Sequence, residues 1–350
     1  MDQHTSHTVE LKNPLKSRKK RRRNVPITLL IFIDIIFAAL ILLVFYLATY
    51  VWHSEVKPQP LSPPVAVAET PVIPSQNPEA VPSDSAETSP ASGPLTLREK
   101  FADKFTGGDV QQTAHSYKNA NISVTIDTVE KDGVVYFLAD IYVADIKYFK
   151  TAFAKNADVL ASEEHTDKIA QEVNAIIAIN GDSCLRTNGL IVRNGSLYPM
   201  GSTDADLLIM YQDGSMVTLS AAEADKDKII AEAPYQVWAF GPMLLKDGQA
   251  ITEFTSPQHI AGSANNPRTA VGYYEPGHYC FLVVDGRQEG YSYPGMSCAQ
   301  MSVLFQELGC KAAYNLDGGK TSEMAFMGEL FNKPVDGGRP VSDILYIAGE

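Results

Sequence analysis

After a polar N-terminal segment, the chain has a long apolar run, continues through a polar stretch rich in proline, and then alternates short apolar runs with turns. The first apolar run covers residues 27–51 and is interrupted only by Thr28, Asp34 and Thr49. A helix of that length, at 1.5 Å per residue, would be about 37 Å long and would exceed the hydrocarbon thickness of a bilayer. The pattern therefore predicts one transmembrane helix over residues 27–52.

A basic segment lies immediately before this apolar run. Residues 1–25 carry eight Lys or Arg against two acidic residues, and six of the basic residues are consecutive over 18–23. Such charge stays on the cytoplasmic side, which predicts a cytoplasmic basic tail over residues 1–26 and export of the rest. A cleaved signal peptide is the alternative, but its apolar core is shorter and is followed by a small-residue cleavage site. We expect a single-pass protein of the cell membrane with an extracellular C-terminal domain.

Proline is concentrated in one part of the chain. Ten of the 21 Pro lie between Pro58 and Pro94, in a stretch of Ser, Ala, Glu and Thr with almost no aromatic residue. Such a composition buries too little apolar surface to offset the entropy lost on ordering. We predict a disordered linker over residues 53–94, which leaves residues 95–350 as the folded domain.

Within that domain the polar and apolar pattern predicts a hairpin, a helix and a buried strand. Residues 122–129 and 134–143 flank an Asp132-Gly133 turn, which favours an antiparallel pair. Residues 162–173 place polar side chains on one face and Ile169 and Val173 on the other, as in an amphipathic helix.

Three continuous apolar runs end in an Asx-Gly pair, at Asn180, Asp285 and Asp317. Most other Asx-Gly pairs of the chain separate alternating segments and are interpreted as turns. The apolar residues before these three predict buried strands with polar groups at their C-terminal tips. Residues 296–308 predict a helix between the second and third strands, and such a connection favours a parallel pair with a right-handed crossover. The predicted fold class is α/β, with α+β character: a central mixed sheet that includes this parallel strand-helix-strand unit and is flanked by helices.

This arrangement would bring Asp285 and Asp317 to one sheet end, the usual ligand-binding edge of such sheets. Arg268 and Arg287 would add forked donors for an anionic group such as phosphate, with Arg339 as a weaker third candidate. Independent turns and ordinary surface cations are the alternatives.

Charge and motif content exclude several function classes. The net charge is −12, and the chain outside the basic tail carries −18, so a nucleic-acid partner is not expected. Cys-x-x-Cys and His-Glu-x-x-His motifs do not occur, and the seven His are scattered, so a zinc site is not expected. Gly319-Lys320-Thr321 is not a nucleotide phosphate loop, because Tyr314 stands where its first glycine would be.

The order of several short motifs is similar to that of a known family. Residues 176–347 resemble the phosphodiester glycosidase family, some bacterial members of which are described as exopolysaccharide biosynthesis proteins. The matching segments are AINGD (178–182), GLIVRNG (189–195), GPMLLKDG (241–248), NPRTAVG (266–272), VDGR (284–287) and LGCKAAYNLDGG (308–319).

This resemblance implies a hydrolase that cleaves a sugar-1-phosphodiester at the anomeric carbon, in extracellular or cell-wall glycan metabolism. The implied partner is a phosphorylated glycan or polysaccharide, and no cofactor is implied. Asp285 and Asp317 are the implied catalytic residues, one of them acting as nucleophile or base. The implied substrate-binding residues are Asn180, Asp182, Arg268, Arg287, Gly318, Gly319 and Thr321.

The chain departs from the family pattern at the implied pocket. Ser183-Cys184 stand where the family commonly has two aromatic residues, and Lys320 interrupts its usual glycine and serine run. Cys184 and Cys298 both replace expected non-cysteine residues, which suggests a disulfide between two pocket loops. We expect Cys280 and Cys310 to be buried and reduced.

Two rival functions follow from the same residues. One is a non-catalytic polysaccharide-binding or assembly module. The other is a metal-assisted phosphodiesterase in which the acidic strand tips bind Ca²⁺ or Mg²⁺. In each case we expect the pocket to be a region of positive electrostatic potential on a domain whose net charge is negative.

Overall fold

A computed structural model describes residues 26–46, 58–62, 95–156, 162–184, 189–198, 201, 204–254, 264–288 and 293–349. The chain forms two units, Met1–Ser54 and Glu55–Glu350.

The described part of the first unit is one helix, α1, which covers Ile27–Tyr46. It has 20 residues and ends six residues before the predicted end of the apolar span. Among the described residues, no helix combines the length and apolar character that crossing a membrane requires. The predicted anchor over residues 27–52 and the cell-membrane localisation are therefore wrong. Residues 1–25 of the predicted basic tail lie outside the described part.

The described residues of the second unit include four shorter α-helices: α2 Leu97–Lys100, α3 Thr166–Glu172, α4 Lys226–Ala231 and α5 Cys298–Glu307. Local sequence accounts for where α5 begins. Ser297 accepts a hydrogen bond from the backbone N–H of Gln300, and the Gln300 side chain accepts one from the backbone N–H of Ser297. The predicted helices over 162–173 and 296–308 are confirmed as α3 and α5.

The described strands are β1 Gln59–Pro60, β2 Gln111–Gln112, β3 Ser116–Lys118, β4 Ile122–Lys131, β5 Val134–Val143, β6 Phe149–Phe153, β7 Ile177–Asn180, β8 Ile191–Arg193, β9 Ser196–Tyr198, β10 Leu207–Met210, β11 Met216–Leu219, β12 Gln236–Trp238, β13 Leu245–Lys246, β14 Gln249–Ala250, β15 Arg268–Glu275, β16 His278–Val284, β17 Ala312–Asn315, β18 Met324–Phe326, β19 Glu329–Leu330 and β20 Asp343–Ile347.

These strands form three sheets and one small hairpin. The seven-stranded sheet has the order β17-β15-β16-β5-β4-β3-β2, the five-stranded sheet β19-β18-β7-β20-β6, and the six-stranded sheet β1-β9-β8-β12-β10-β11. The remaining two, β13 and β14, pair with each other. The predicted hairpin is confirmed, since β4 and β5 pair from Lys131–Val134 to Ile122–Val143.

The predicted fold class is wrong, because each strand pairing in the described part of the chain is antiparallel. The helix α5 does connect two strands, β16 and β17, that run in the same direction. However, β15 lies between them and pairs with both, Arg268 with Val284 and Ala270 with Asn315. The strands β15 and β16 pair antiparallel because a tight turn at Pro276-Gly277 joins them.

The predicted linker over residues 53–94 is described only at residues 58–62. There Gln59 and Pro60 form β1, which pairs with Leu197 and Ser196 on β9. The rest of that segment lies outside the described residues.

The core forms where the three sheets meet at the ring of Phe149 on β6. This ring packs edge-on against Trp238 of the six-stranded sheet and against Tyr279 and Phe281 of the seven-stranded sheet. The centroid distances are 6.2, 5.1 and 5.7 Å. Phe149 itself is fully buried. A single side chain therefore joins all three sheets.

We expect Phe149→Ala to lower the free energy of unfolding by about 3–5 kcal/mol, because it leaves a cavity between three sheets. Denaturant unfolding followed by tryptophan fluorescence would measure this. Phe149→Leu is the matched control and should cost less, since it keeps most of the apolar volume. Equal, small losses in both variants would contradict the central position of this ring.

Candidate functional site

One edge of the seven-stranded sheet collects the polar strand tips. The C-terminal ends of β16 and β17 and the N-terminal end of β15 meet there, because β15 pairs antiparallel with both neighbours. Asp285 follows β16, Asp317 follows β17 by two residues, and Arg268 begins β15. The structure thus brings the two predicted catalytic carboxylates and one predicted phosphate ligand to the same edge.

Asp317 is held by its own turn and by an arginine. Its Oδ1 accepts a hydrogen bond of 2.8 Å from the backbone N–H of Gly318. Arg339 Nη2 donates to the other oxygen at 3.2 Å. Both partners favour the ionised carboxylate. The sequence made Arg339 a weaker candidate phosphate ligand than Arg268 and Arg287. The structure shows an ion pair between Arg339 and Asp317.

The glycine turn after Asp317 packs against the start of β15. Gly319 donates its backbone N–H to Pro267 O at 2.9 Å, and Thr321 Oγ1 donates to Gly318 O at 2.9 Å. A Cβ on Gly318 would lie 2.9 Å from Pro267 O, which is too close for a side chain. These three predicted binding residues therefore shape the turn that carries Asp317.

Asp285 is buried and receives three hydrogen bonds. Asn332 Nδ2 donates to Oδ1 at 2.8 Å, while Gln288 Nε2 and the backbone N–H of Lys333 donate to Oδ2 at 3.0 and 3.3 Å. Burial raises the pKa of Asp285, and these donors lower it in part. Asn332 also donates to Ser322 O and accepts from Met324 N–H, so its amide is fixed from both sides.

The two predicted phosphate ligands lie near each other. Arg268 is nearly buried and donates from Nε to Met296 O at 3.1 Å and from Nη2 to Ala264 O at 2.8 Å. Burial lowers the pKa of Arg268, and the nearby charge of Arg287 lowers it further. Arg287 is exposed and has a left-handed backbone with φ of 58°.

Asn180 is fully buried at the junction of two sheets. Its Nδ2 donates to Asp317 O at 2.8 Å, and its Oδ1 accepts from Thr269 Oγ1 at 2.6 Å and from Glu323 N–H at 3.3 Å. The amide therefore joins β7 to the tips of β15 and β17. This geometry gives Asn180 a positioning role behind Asp317.

Asp182 is also fully buried and belongs to an ion cluster. Arg193 Nη2 donates to Asp182 Oδ1 at 2.7 Å and to Asp343 Oδ2 at 3.0 Å. Asp182 Oδ2 also accepts from the backbone N–H of Ala239 at 2.8 Å. The cluster ties the six-stranded sheet to β20 and to the segment after β7.

The four cysteines are buried and free. The disulfide implied between Cys184 and Cys298 is therefore wrong; Cys184 Sγ instead lies 3.4 Å from Ser342 Oγ. The expectation for Cys280 and Cys310 is confirmed, with their Sγ atoms 3.9 Å apart in the core.

Two buried donors near Asp317 make no hydrogen bond to any described residue. They are Arg339 Nε and Ser322 Oγ. Ser322 Oγ would lie 3.6 Å from a Cβ on Gly318, so it faces the glycine turn. Sequence patterns missed Ser322 and Asn332, and only their closeness in sequence to Asp317 could have suggested them.

A cleft of about 410 Å³ lies elsewhere, at the opposite end of β15 and β17, where Tyr273 and Ala312 contribute to its lining. Its position separates it from both carboxylates. The strand tips are the better candidate because they combine carboxylates with guanidinium groups.

The family model of the phosphodiester glycosidases matches residues 170–348, just over half of the chain. The chain belongs to the phosphodiester glycosidase family. The site described above lies within the part of the chain that this family covers, whereas the hairpin β4–β5 and the strand β6 precede it.

Two known proteins illustrate the relationship. The SPbeta prophage-derived uncharacterized protein YomE of Bacillus subtilis (strain 168) is 32% identical over 218 residues, which cover 58% of this chain and 33% of YomE. The chain thus spans about a third of the length of that relative. The zebrafish N-acetylglucosamine-1-phosphodiester alpha-N-acetylglucosaminidase catalytic domain superposes with a TM-score of 0.51 at 18% identity, covering 65% of this chain and 83% of that domain. This second likeness shows a shared fold.

We expect Asn332→Ala to raise the pKa of Asp285, because the ionised carboxylate loses its donor to Oδ1. A carbon-13 NMR titration of the Asp285 carboxyl would measure the change. Asn121→Ala, at the opposite end of the β4–β5 hairpin, is the matched control and should leave the titration where it is in the natural protein. An unchanged titration in Asn332→Ala would contradict the positioning role of this amide.

The buried ion cluster predicts a pH dependence of stability. Burial and the charge of Asp182 raise the pKa of Asp343 from 3.8 to about 6, although Arg193 opposes the rise. The folded chain therefore binds a proton more tightly than the unfolded chain. This contribution to stability is fully present below about pH 3.8 and is lost as the pH rises through about 6.

We expect Asp343→Asn to lose this dependence, since an amide does not titrate. Denaturant unfolding at several pH values between 4 and 7 would test it, with Asp336→Asn at an exposed site as the control. If the free energy of unfolding of Asp343→Asn changed with pH as steeply as that of the natural protein, the assignment of this pH dependence to Asp343 would be contradicted.

Proposed function

We propose that this phosphodiester glycosidase hydrolyses a sugar-1-phosphodiester at the anomeric carbon. The observation that carries the proposal is the meeting of Asp285 and Asp317 with Arg268 and Arg339 at one sheet edge. Family membership supports a glycosidase-type hydrolase that acts on phosphodiesters. The relative from zebrafish is named for an N-acetylglucosamine-1-phosphodiester, which makes such a diester the first substrate to test.

The reaction breaks the bond between C1 of the sugar and the phosphate oxygen. The electron pair of that bond goes to the leaving phosphomonoester, and water supplies the hydroxyl that C1 gains. A carboxylate either removes the proton of the attacking water or first attacks C1 itself, and the net reaction is the same. A phosphomonoester leaves readily, so stabilising its charge matters more than protonating it.

The two carboxylates differ in the way that their roles require. Arg339 and the Gly318 N–H both donate to the Asp317 carboxylate, which suits the group that acts on C1 or on water. Asp285 is more deeply held, and burial raises its pKa, which suits a group that handles a proton beside the departing oxygen. We therefore assign the first role to Asp317 and the second to Asp285.

The phosphate is expected to lie on the guanidinium side of the site. Arg268 and Arg287 are close enough for the charge of one to lower the pKa of the other, and an anion between them would relieve that repulsion. The buried Nε of Arg339 and the hydroxyl of Ser322 offer two further donors to substrate oxygens. Asn180 and Asp182 act as positioning residues in this scheme, since both are fully buried.

Product analysis distinguishes this function from its rivals. The full chain is incubated with a benzyl diester of N-acetylglucosamine-1-phosphate, with and without a chelator. Free sugar supports the glycosidase, sugar phosphate that disappears with chelator supports a metal-assisted phosphodiesterase, and no product supports a binding module. Either of the last two results would overturn the proposal.

We expect Asp317→Asn to lower kcat/KM on that diester by at least about 100-fold, because the carboxylate that acts on C1 or water is lost. Asp336→Asn is the matched control: Asp336 is exposed, pairs with Lys320, and should be dispensable. Full turnover in Asp317→Asn would remove this residue from the mechanism.

A further inference from the structure

A second cluster of ionisable side chains lies behind the site, between the start of α3 and the residue before β18. It consists of His165, Asp167 and Glu323. One imidazole nitrogen and one oxygen from each carboxylate all lie within 4.8 Å of one another. Ligands on a single metal ion at about 2.1 Å are separated by at most about twice that distance, so these atoms need only a small inward movement to share one ion.

Glu323 carries a charge that its surroundings compensate poorly. Its side chain is 1% exposed, and its hydrogen-bond donors are the backbone N–H of Thr166 at 3.0 Å and His165 Nδ1 at 3.3 Å. Within the described ranges no Lys or Arg forms an ion pair with it. Burial raises the pKa of Glu323, as expected for a carboxylate without a full cationic partner.

One feature of the surroundings points to a ligand, and a second shows how closely the chain packs against the cluster. Thr166 is fully buried, and its hydroxyl makes no hydrogen bond to any described residue although it lies close enough to Glu323 to influence that carboxylate. Gly338 borders the cluster from the other side. A Cβ there would lie 1.9 Å from Glu323 Oε1 and 3.4 Å from His165 Nδ1, so only a residue without a side chain fits against these two ligand atoms.

We propose that His165, Asp167 and Glu323 bind one divalent transition-metal ion, Zn²⁺ or Mn²⁺. One imidazole with two carboxylates suits these ions, since imidazole favours zinc and carboxylate favours manganese. The ion would take the place of the 3.3 Å hydrogen bond between His165 Nδ1 and Glu323 Oε1.

Solvent access and charge both allow such binding. The side chains of His165 and Asp167 are 36% and 19% exposed, so an ion can enter and keep water in its remaining positions. Lys168 lies 3.1 Å from Asp167, but it is half exposed, and such surface pairs are weak. The metal would therefore displace a weak contact and neutralise a buried charge.

The site would stiffen the support of Asp317 without taking part in chemistry. Glu323 donates its backbone N–H to Asn180, whose amide holds Asp317, and Gly338 directly precedes Arg339. A metal ion bound to Glu323 would restrict the movement of both Asn180 and the segment that contains Gly338 and Arg339. The inference does not depend on the proposed function, because binding is measured without turnover.

Metal binding by the full chain tests the proposal. Zn²⁺ and Mn²⁺ are titrated separately by isothermal calorimetry, and the Mn²⁺ complex is followed by electron paramagnetic resonance. We expect one ion per chain, and we expect His165→Ala and Glu323→Gln each to weaken binding by at least about 10-fold. Glu172→Gln, at the exposed end of α3, is the matched control and should bind like the natural protein.

His165→Ala keeps the experiment decisive if Glu323→Gln fails to fold, because the imidazole is partly exposed. The absence of stoichiometric binding by either ion would overturn the proposal. Binding that both variants retain at full strength would do the same, because the ion would then lie elsewhere. Either result leaves the sugar-1-phosphodiester assay unaffected, so the two proposals can fail separately.

Discussion

The amide of Asn180 is the interaction on which the candidate site depends. It lies at the end of β7, fully buried, and hydrogen-bonds the main chain at Asp317, the hydroxyl of Thr269 and the main chain at Glu323. The five-stranded and seven-stranded sheets share no strand pairing in the described residues, and these hydrogen bonds connect the end of β7 to the ends of β15 and β17. Because buried amides lose more by leaving partners unpaired than they gain from each bond, the geometry at this point is strongly specified.

Around this amide the structure separates residues that support from residues that can react. Asp182 and Arg193 are buried in a cluster that connects the sheets, and breaking such a cluster leaves uncompensated charge in the interior. The side chains of Asp317 and Arg339 are 13% and 39% exposed. The polar side chains of the segment 180–182, Asn180 and Asp182, are fully buried and connect strands and sheets, so they support the strand tips and do not face solvent.

Sequence patterns predicted the features that depend on local order and missed those that depend on packing. Continuous apolar runs ending at Asp285 and Asp317 placed both carboxylates at one sheet end, because strand direction follows from the connection through α5. The pairing partner of those strands was missed, since nothing in the run before Asp317 encodes that β15 lies beside it. Asn332 and Glu323 were missed for the same reason: each meets its partner across more than 40 residues of chain.

The insertion of β15 between β16 and β17 is a correction to the predicted topology, and it also explains the chemistry of the edge. In three strands with alternating direction, the outer two end where the middle one begins. Asp285 and Asp317 follow the two outer strands, β16 and β17. They therefore lie on either side of the first residue of the middle strand, Arg268. A parallel pair would have placed the carboxylates side by side, where like charges raise each other's pKa. The antiparallel arrangement instead begins the middle strand with a cationic residue, and a nearby cation would suit the anionic leaving group of the proposed reaction.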